Sequence, residues 1–287
     1  MWARALRKGV FSQLREKQEM QMILNLIFLA IAALCTGGVY LFGAPISPWW
    51  ALLILPASFL GAVIVFFLFL FVCSLFLPKR RPIDTPKPFC VWMIWVAMYW
   101  VMSLLRVKVT LKGGEKLPAE PCILVSNHRS GFDPMIVLSA MGGKKIAFIS
   151  KEANFKIPIV GNFIYHAGFL AIDRGNGMRA LRTLKFAAEM VKAGKVDVMG
   201  IYPEGTRSKT GELLRFKSGA FLLAKRADAP IAVMATKGTD RVFRNFPFRS
   251  TQVELEILDV ISREEVAELP HEEISTRTRT MIEKALR

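Results

Sequence analysis

From position 21 to position 78 the sequence contains no aspartate, glutamate, lysine or arginine. That absence excludes a wholly soluble protein, because one helix needs only about 20 apolar residues to cross a hydrocarbon core about 30 Å thick. The run has room for two spans, about 22–42 and about 49–77. Between them Gly43-Ala44-Pro45-Ile46-Ser47-Pro48 breaks helical continuity and supplies a turn. At about 1.5 Å per residue the second segment is longer than the bilayer is thick, so it tilts, bends at Pro56 or protrudes. Two spans without an ionisable residue offer a transporter no coupling site.

Cysteine is also scarce. Cys35, Cys73, Cys90 and Cys122 show no disulfide or metal-ligand spacing, which excludes a disulfide framework and fits a reducing compartment. No cluster of ligands calls for a metal. Tryptophan is absent after position 100. There is no internal repeat and no low-complexity linker, so neither a solenoid nor a disordered tether is expected.

What the chain does have is positive charge: 39 Lys and Arg against 23 Asp and Glu, a net of +16 over 287 residues. Such a balance would suit nucleic acid as well as anionic lipid, and the uncharged run decides for lipid. Arg4, Arg7, Lys8, Arg15 and Lys17 precede that run and Lys79, Arg80 and Arg81 follow it, which places both ends of the hairpin in the cytoplasm. A cleaved secretory signal would have a shorter apolar core. A third apolar run, 89–105, carries Trp92, Trp95 and Tyr99 at i, i+3 and i+7 and has basic residues on both sides. It reads as a helix lying in the membrane interface, with those three rings at headgroup level. The expected division is 1–87, a basic N-terminus and membrane hairpin, and 88–287, the interfacial helix with an α/β domain.

Beyond Arg106, short apolar runs alternate with helical stretches, the pattern of an α/β domain with a mixed sheet of about seven strands flanked by helices. The strands expected are 107–111, 123–126, 146–150, 168–172, 198–202, 231–235 and 253–260. A helix is expected over 178–193 with Gly194 as its C-terminal cap, and a tail helix from near His271, with Ser262 and Glu265 forming a capping box ahead of it.

Chemistry-bearing residues gather where strands end. In Ser126-Asn127-His128-Arg129-Ser130-Gly131-Phe132-Asp133 a histidine stands five residues before an aspartate. A neutral imidazole held in one tautomer by a carboxylate is a general base near neutral pH, although Asp133-Pro134 alone would also serve as a helix start. Gly168-Phe169-Leu170-Ala171-Ile172-Asp173-Arg174 ends a strand in an arginine whose planar fork of donors suits phosphate. Tyr202-Pro203-Glu204-Gly205-Thr206-Arg207 again ends a strand, and is either a phosphate-binding turn or an ordinary turn with an exposed ion pair. A base, a carboxylate and anion-binding arginines in a bilayer-attached chain suggest acyl transfer onto a phosphorylated lipid.

These three motifs resemble the glycerophospholipid acyltransferases, and within them the lysophosphatidic acid acyltransferases, over about 89–235. The resemblance implies that His128 is the general base and Asp133 orients it, while Arg174, Glu204, Gly205, Thr206 and Arg207 bind the phosphorylated acceptor. It also extends to Ser150-Lys151-Glu152-Ala153-Asn154-Phe155, which makes Lys151 a candidate for stabilising developing charge. The implied reaction moves a fatty acyl group from acyl-CoA or acyl carrier protein to the sn-2 hydroxyl of lysophosphatidic acid, giving phosphatidic acid without an acyl-enzyme and without a cofactor. The implied setting is a membrane, the inner or plasma membrane if the chain is bacterial, with the catalytic domain on its cytoplasmic face. Its partners would be the lipid bilayer and those substrates, not nucleic acid. Two departures from the family pattern stand out: Tyr202 replaces the commoner phenylalanine, and the strand after Pro230 lacks a second proline. Another lysophospholipid, a lyso-ornithine lipid or glycerol 3-phosphate are alternative acceptors, and a noncatalytic scaffold binding anionic lipid is the alternative of another class.

Overall fold

The computed structural model describes scattered residues between 26 and 41, then 48–78, 85–142, 144–208 and 210–287. It divides into two units, Met1–Lys79 and Arg80–Arg287. In the first, helix α1 (Ala51–Leu75) includes Pro56, and Pro56–Leu75 is the one helix among the described residues long and apolar enough to cross a membrane. Only 17% of its most apolar window is buried, as expected of side chains that face lipid. Within the earlier expected span, about 22–42, the described residues give only a short apolar helix, Leu29–Gly38, too short to cross, so a hairpin of two spans is not shown. The turn at 43–47 and the flanking basic residues from Arg4 to Lys17 and Lys79 to Arg81 lie outside the described residues.

The second unit opens with α2 (Pro88–Leu104) and then builds seven strands into one sheet. These are β1 (Val107–Lys112), β2 (Cys122–Ser126), β3 (Ile146–Lys151), β4 (Leu170–Ile172), β5 (Val198–Ile201), β6 (Ile231–Lys237) and β7 (Thr251–Ile261). Their spatial order is β1-β7-β6-β2-β5-β3-β4. Strands β2 to β6 run parallel to one another, whereas β7 is antiparallel to β6 and carries β1 parallel to itself. The central β2 and β5 are buried at every position because both faces of a parallel sheet are covered, while the alternating exposure of β1 and β7 marks one covered face. One edge of the sheet therefore collects the C-terminal ends of β2 to β6 and the N-terminal ends of β1 and β7.

Helices α3 (Asp133–Ala140), α4 (Val160–His166), α5 (Gly177–Lys192) and α6 (Gly219–Ala227) lie between the parallel strands in sequence. Helix α5 shows why its residues fold as they do: Asn176 accepts the Arg179 amide at the start, Leu184, Ala188 and Val191 are buried, and Gly194 adopts φ +64° just past the end. After α7 (Val242–Asn245) and β7, the Ser262–Glu265 capping box starts a separate six-residue helix, α8 (Arg263–Glu268). Leu269-Pro270 ends it before the tail helix α9 (His271–Leu286), so the box does not cap the tail itself.

The aromatic face expected of α2 is not one face. Phe89 and Trp92 are about half exposed, but Trp95 turns inward onto Gly142, where any Cβ would collide with its indole ring. The lack of a side chain at Gly142 gives the larger ring a place to pack, and Tyr99 stacks against it at 6.5 Å.

Candidate active site

The turn after β2 is fixed from several directions. Asn127 Nδ2 donates to the Thr236 carbonyl at 3.0 Å and its Oδ1 accepts the Thr236 amide at 2.8 Å, which ties the turn to β6. Asp133 is fully buried, and its carboxylate turns back into the turn rather than onto the α3 amides. Its Oδ2 accepts the Arg129 amide at 2.8 Å and the Ser130 amide at 2.9 Å, and lies 2.7 Å from His128 Nδ1. A carboxylate oxygen already receiving two N–H donors takes Nδ1–H as a third, which leaves Nε2 as the acceptor of the ring.

The neighbouring strand β5 supplies the other half. Tyr202 stacks on His128 with centroids 4.2 Å apart and planes within 15°, and Phe148 stacks on the far side of Tyr202 at 5.7 Å. Gly200 makes this possible, since any Cβ there would collide with the Phe148 ring. The Tyr202 hydroxyl is buried without a hydrogen-bond partner among the described residues, and burial together with nearby Asp133 pushes it well above the usual phenol range.

Glu204 holds the two loops together. Its Oε1 accepts the His128 amide at 2.6 Å and its Oε2 accepts the Leu214 amide at 3.0 Å. The side chain is expected from sequence among the acceptor-binding residues; it faces inward and is 3% exposed. Burial holds its carboxyl above the ordinary value, partly offset by those two amide donors. The Leu214 segment is braced in turn by Arg279 of α9, which donates to the Leu214 carbonyl at 2.7 Å and the Leu213 carbonyl at 3.1 Å.

The basic side chains lie outward of this framework along the same edge. Thr206 and Arg207 are exposed just after Gly205, whose φ of +68° favours glycine, and whose added Cβ would press on Lys217. Arg207 reaches across to the histidine turn, where a Cβ on Gly131 would stand 3.5 Å from its guanidinium. Lys151 ends β3 and Arg174 follows β4, so both sit further along the edge, on strands spaced about 4.8 Å apart. Arg174 is not engaged by Asp173, which accepts the Gly175 amide at 3.0 Å and faces Arg179 at 3.5 Å. Partial burial lowers the Arg174 guanidinium from its usual value.

The structure thus brings His128, Asp133, Glu204, Gly205, Thr206 and Arg207 to two adjacent strand ends and sets Lys151 and Arg174 beside them. Sequence reasoning missed the Tyr202 stack, the inward clamp by Glu204 and the Asn127–Thr236 lock. An aromatic residue opening the third motif is the only local signal for the first; the others join residues about a hundred positions apart or nearly so.

Residues 108–237, which take in every one of these groups except the Arg279 brace, match the family model described as Acyltransferase. Among curated relatives, 1-acyl-sn-glycerol-3-phosphate acyltransferase BAT2, chloroplastic, of Brassica napus is 36% identical over 47% of this chain and 39% of its own length. The 1-acyl-sn-glycerol-3-phosphate acyltransferase of Saccharomyces cerevisiae is 34% identical over 52% of this chain and 49% of its own length. The human beta form is 32% identical over 50% and 51%. The chain thus spans about half the length of the curated relatives it matches, or less. The crystal structure of the 1-acyl-sn-glycerophosphate (LPA) acyltransferase PlsC from Thermotoga maritima aligns with a TM-score of 0.59 over 93% of this chain and 96% of that one. At 21% identity this likeness shows the fold alone.

Proposed function

We propose that the chain is a membrane-attached acyltransferase that moves a fatty acyl group from acyl-CoA or acyl carrier protein to the sn-2 hydroxyl of lysophosphatidic acid, forming phosphatidic acid. The names of the curated relatives support this acceptor. The observation that carries the reading is the 2.7 Å contact of His128 Nδ1 with a fully buried Asp133, beside an exposed Arg207.

In this reading Nε2 of His128 takes the proton of the lipid hydroxyl as its oxygen attacks the thioester carbonyl. The C–S bond then breaks, the acyl group stays on the lipid oxygen, and the thiolate leaves with the proton returned from His128. Asp133 fixes the tautomer and stabilises the imidazolium that forms between these steps. Arg207, Arg174 and Thr206 hold the acceptor phosphate, Gly205 lets it approach the backbone, and Lys151 stabilises developing charge. Glu204 acts by fixing the backbone of both loops. The helix Pro56–Leu75 and the apolar residues before it anchor the chain in a bilayer, with the catalytic domain on the cytoplasmic face.

The test is an assay of the full chain in mixed micelles with lysophosphatidate and labelled acyl-CoA or acyl carrier protein, beside His128→Ala. Phosphatidate from the wild type and none from the variant is the expected result. Product from neither, with a panel of other lysolipids also unused, would leave a lipid-binding scaffold as the better account.

A further inference from the structure

The edge that carries the site also carries aromatic side chains that the reaction does not use. Between β6 and β7 the chain reads Asp240-Arg241-Val242-Phe243-Arg244-Asn245-Phe246-Pro247-Phe248-Arg249, all of it beyond the segment matched to the family. Val242 is fully buried and pins the segment, but Phe243 is 76% and Phe248 87% exposed, with Phe246 at 39%. No large apolar side chain among the described residues is more exposed than Phe248.

The exposure is held in place by the surrounding structure. Arg106 donates to the Pro247 carbonyl at 3.1 Å, the Arg249 amide to the Asn245 carbonyl at 2.8 Å, and Asn245 Nδ2 to Thr251 Oγ1 at 3.0 Å. The three phenylalanines lie among three exposed arginines, Arg241, Arg244 and Arg249. The single acid, Asp240, is shared between Arg244 at 3.3 Å and Arg129 at 3.8 Å. The surface is therefore apolar and cationic at once, the combination that favours an anionic phospholipid interface, where rings enter the acyl boundary and guanidinium groups meet phosphates. A patch for a water-filled setting would not leave such rings uncovered. The apolar surface also leads to the site, since Phe243 meets Phe132 edge-on at 4.7 Å and Phe132 belongs to the His128–Asp133 turn.

We infer that segment 240–249 is a second lipid-contact surface, separate from the uncharged N-terminal run, that dips Phe243, Phe246 and Phe248 into an anionic leaflet and holds the mouth of the site against it. The purpose of the contact rests on the function proposed above, but the contact is measurable without turnover. The full chain, reconstituted into phosphatidylcholine vesicles with and without phosphatidylglycerol, is labelled with a nitroxide at Phe248→Cys, and at Lys192→Cys as the control. Signal from native cysteines is subtracted using the labelled parent chain. Lys192 ends α5, at the opposite edge of the sheet. The expected result is that oxygen outcompetes a water-soluble nickel chelate as a relaxant at 248, several-fold more in anionic vesicles, and that the chelate wins at 192. Free access of the chelate at 248 in both vesicles would overturn the inference. So would exclusion of both relaxants, which would mean burial against a second copy or another protein. In the same vesicles, Phe243→Ser/Phe248→Ser is expected to slow acylation of long-chain lysophosphatidate about tenfold and to spare a short-chain soluble analogue. Inactivity of the wild type on both would sink the function while the label still decided the contact.

Discussion

The ends of β2 and β5 and the ends of β3 and β4 lie along one edge of one sheet, yet they are built differently. At the first pair nearly every polar group is held: Asp133 by a ring nitrogen and two amides, Glu204 by two amides, His128 between Asp133 and the Tyr202 ring. At the second pair Lys151 and Arg174 are exposed, with long side chains and no comparable framework. Proton transfer tolerates little error in position, and holding a phosphate through charge tolerates much more. The difference suggests chemistry at the rigid pair and charge attraction at the adaptable one.

Breaking the rigid pair has the largest expected effect. His128→Ala and Asp133→Asn should each lower kcat by about 100- to 10,000-fold while leaving the acceptor KM within a few-fold, measured by steady-state kinetics in micelles. A comparable rate in either variant would erase the contrast. Arg207 is exposed beside the rigid pair, close to Gly131 of the histidine turn, and Arg207→Ala should raise the KM for lysophosphatidate about 10- to 100-fold, the loss of a charge-assisted hydrogen bond worth about 1.5 to 3 kcal/mol. Arg207→Lys should recover only part of this because it lacks the planar fork.

Glu204 sharpens the comparison through pH. Its folded carboxyl is raised by burial, so the folded chain keeps a proton that the unfolded chain has already lost. Stability should therefore fall as pH rises from the ordinary carboxylate value of 4.5 toward the folded one and be level above it. Unfolding followed in detergent from about pH 4 to about pH 8 should show this slope, and Glu204→Gln should remove it. The variant also leaves one of two buried amides without its acceptor, at a cost of about 1 to 3 kcal/mol. Arg174→Ala and Lys151→Ala should act more weakly, a few-fold on KM and less at high salt. A large loss of kcat in Arg174→Ala would mean that the outer pair is as exacting as the inner. The smallest effect expected is that of Tyr202→Phe, which keeps the stack, removes a buried hydroxyl without a partner among the described residues, and should hold or raise the unfolding temperature.

The seven strands were legible because each is an unbroken apolar or alternating run, and their ends fall within a residue or two of the sequence reading. The His128 and Asp133 pair was legible because it is local, five residues apart on one turn. Contacts between distant segments were not. Nothing near Glu204 in the chain says that it will accept the His128 amide, and nothing near Trp95 says that Gly142 will open a place for it. The capping box was recognised but given to the wrong helix, because Pro270 stops α8 before the tail begins. The phenylalanines after β6 carry no periodicity, and only the fold shows that they share an edge with His128.

The hydrogen bonds from Arg279 give the tail helix a part in the site. They run from α9 to the Leu213–Leu214 segment, through Leu214 N–H to Glu204, and from Glu204 to the amide of His128. The stretch that matches the family ends at 237, some forty residues short of that arginine. A fragment cut at the end of the matched stretch would keep every residue assigned to acyl transfer and lose the brace that keeps them in register. The smallest working unit is therefore larger than the motif-bearing one, and a change at Arg279, far along the sequence, would be felt first as a loosened His128 turn.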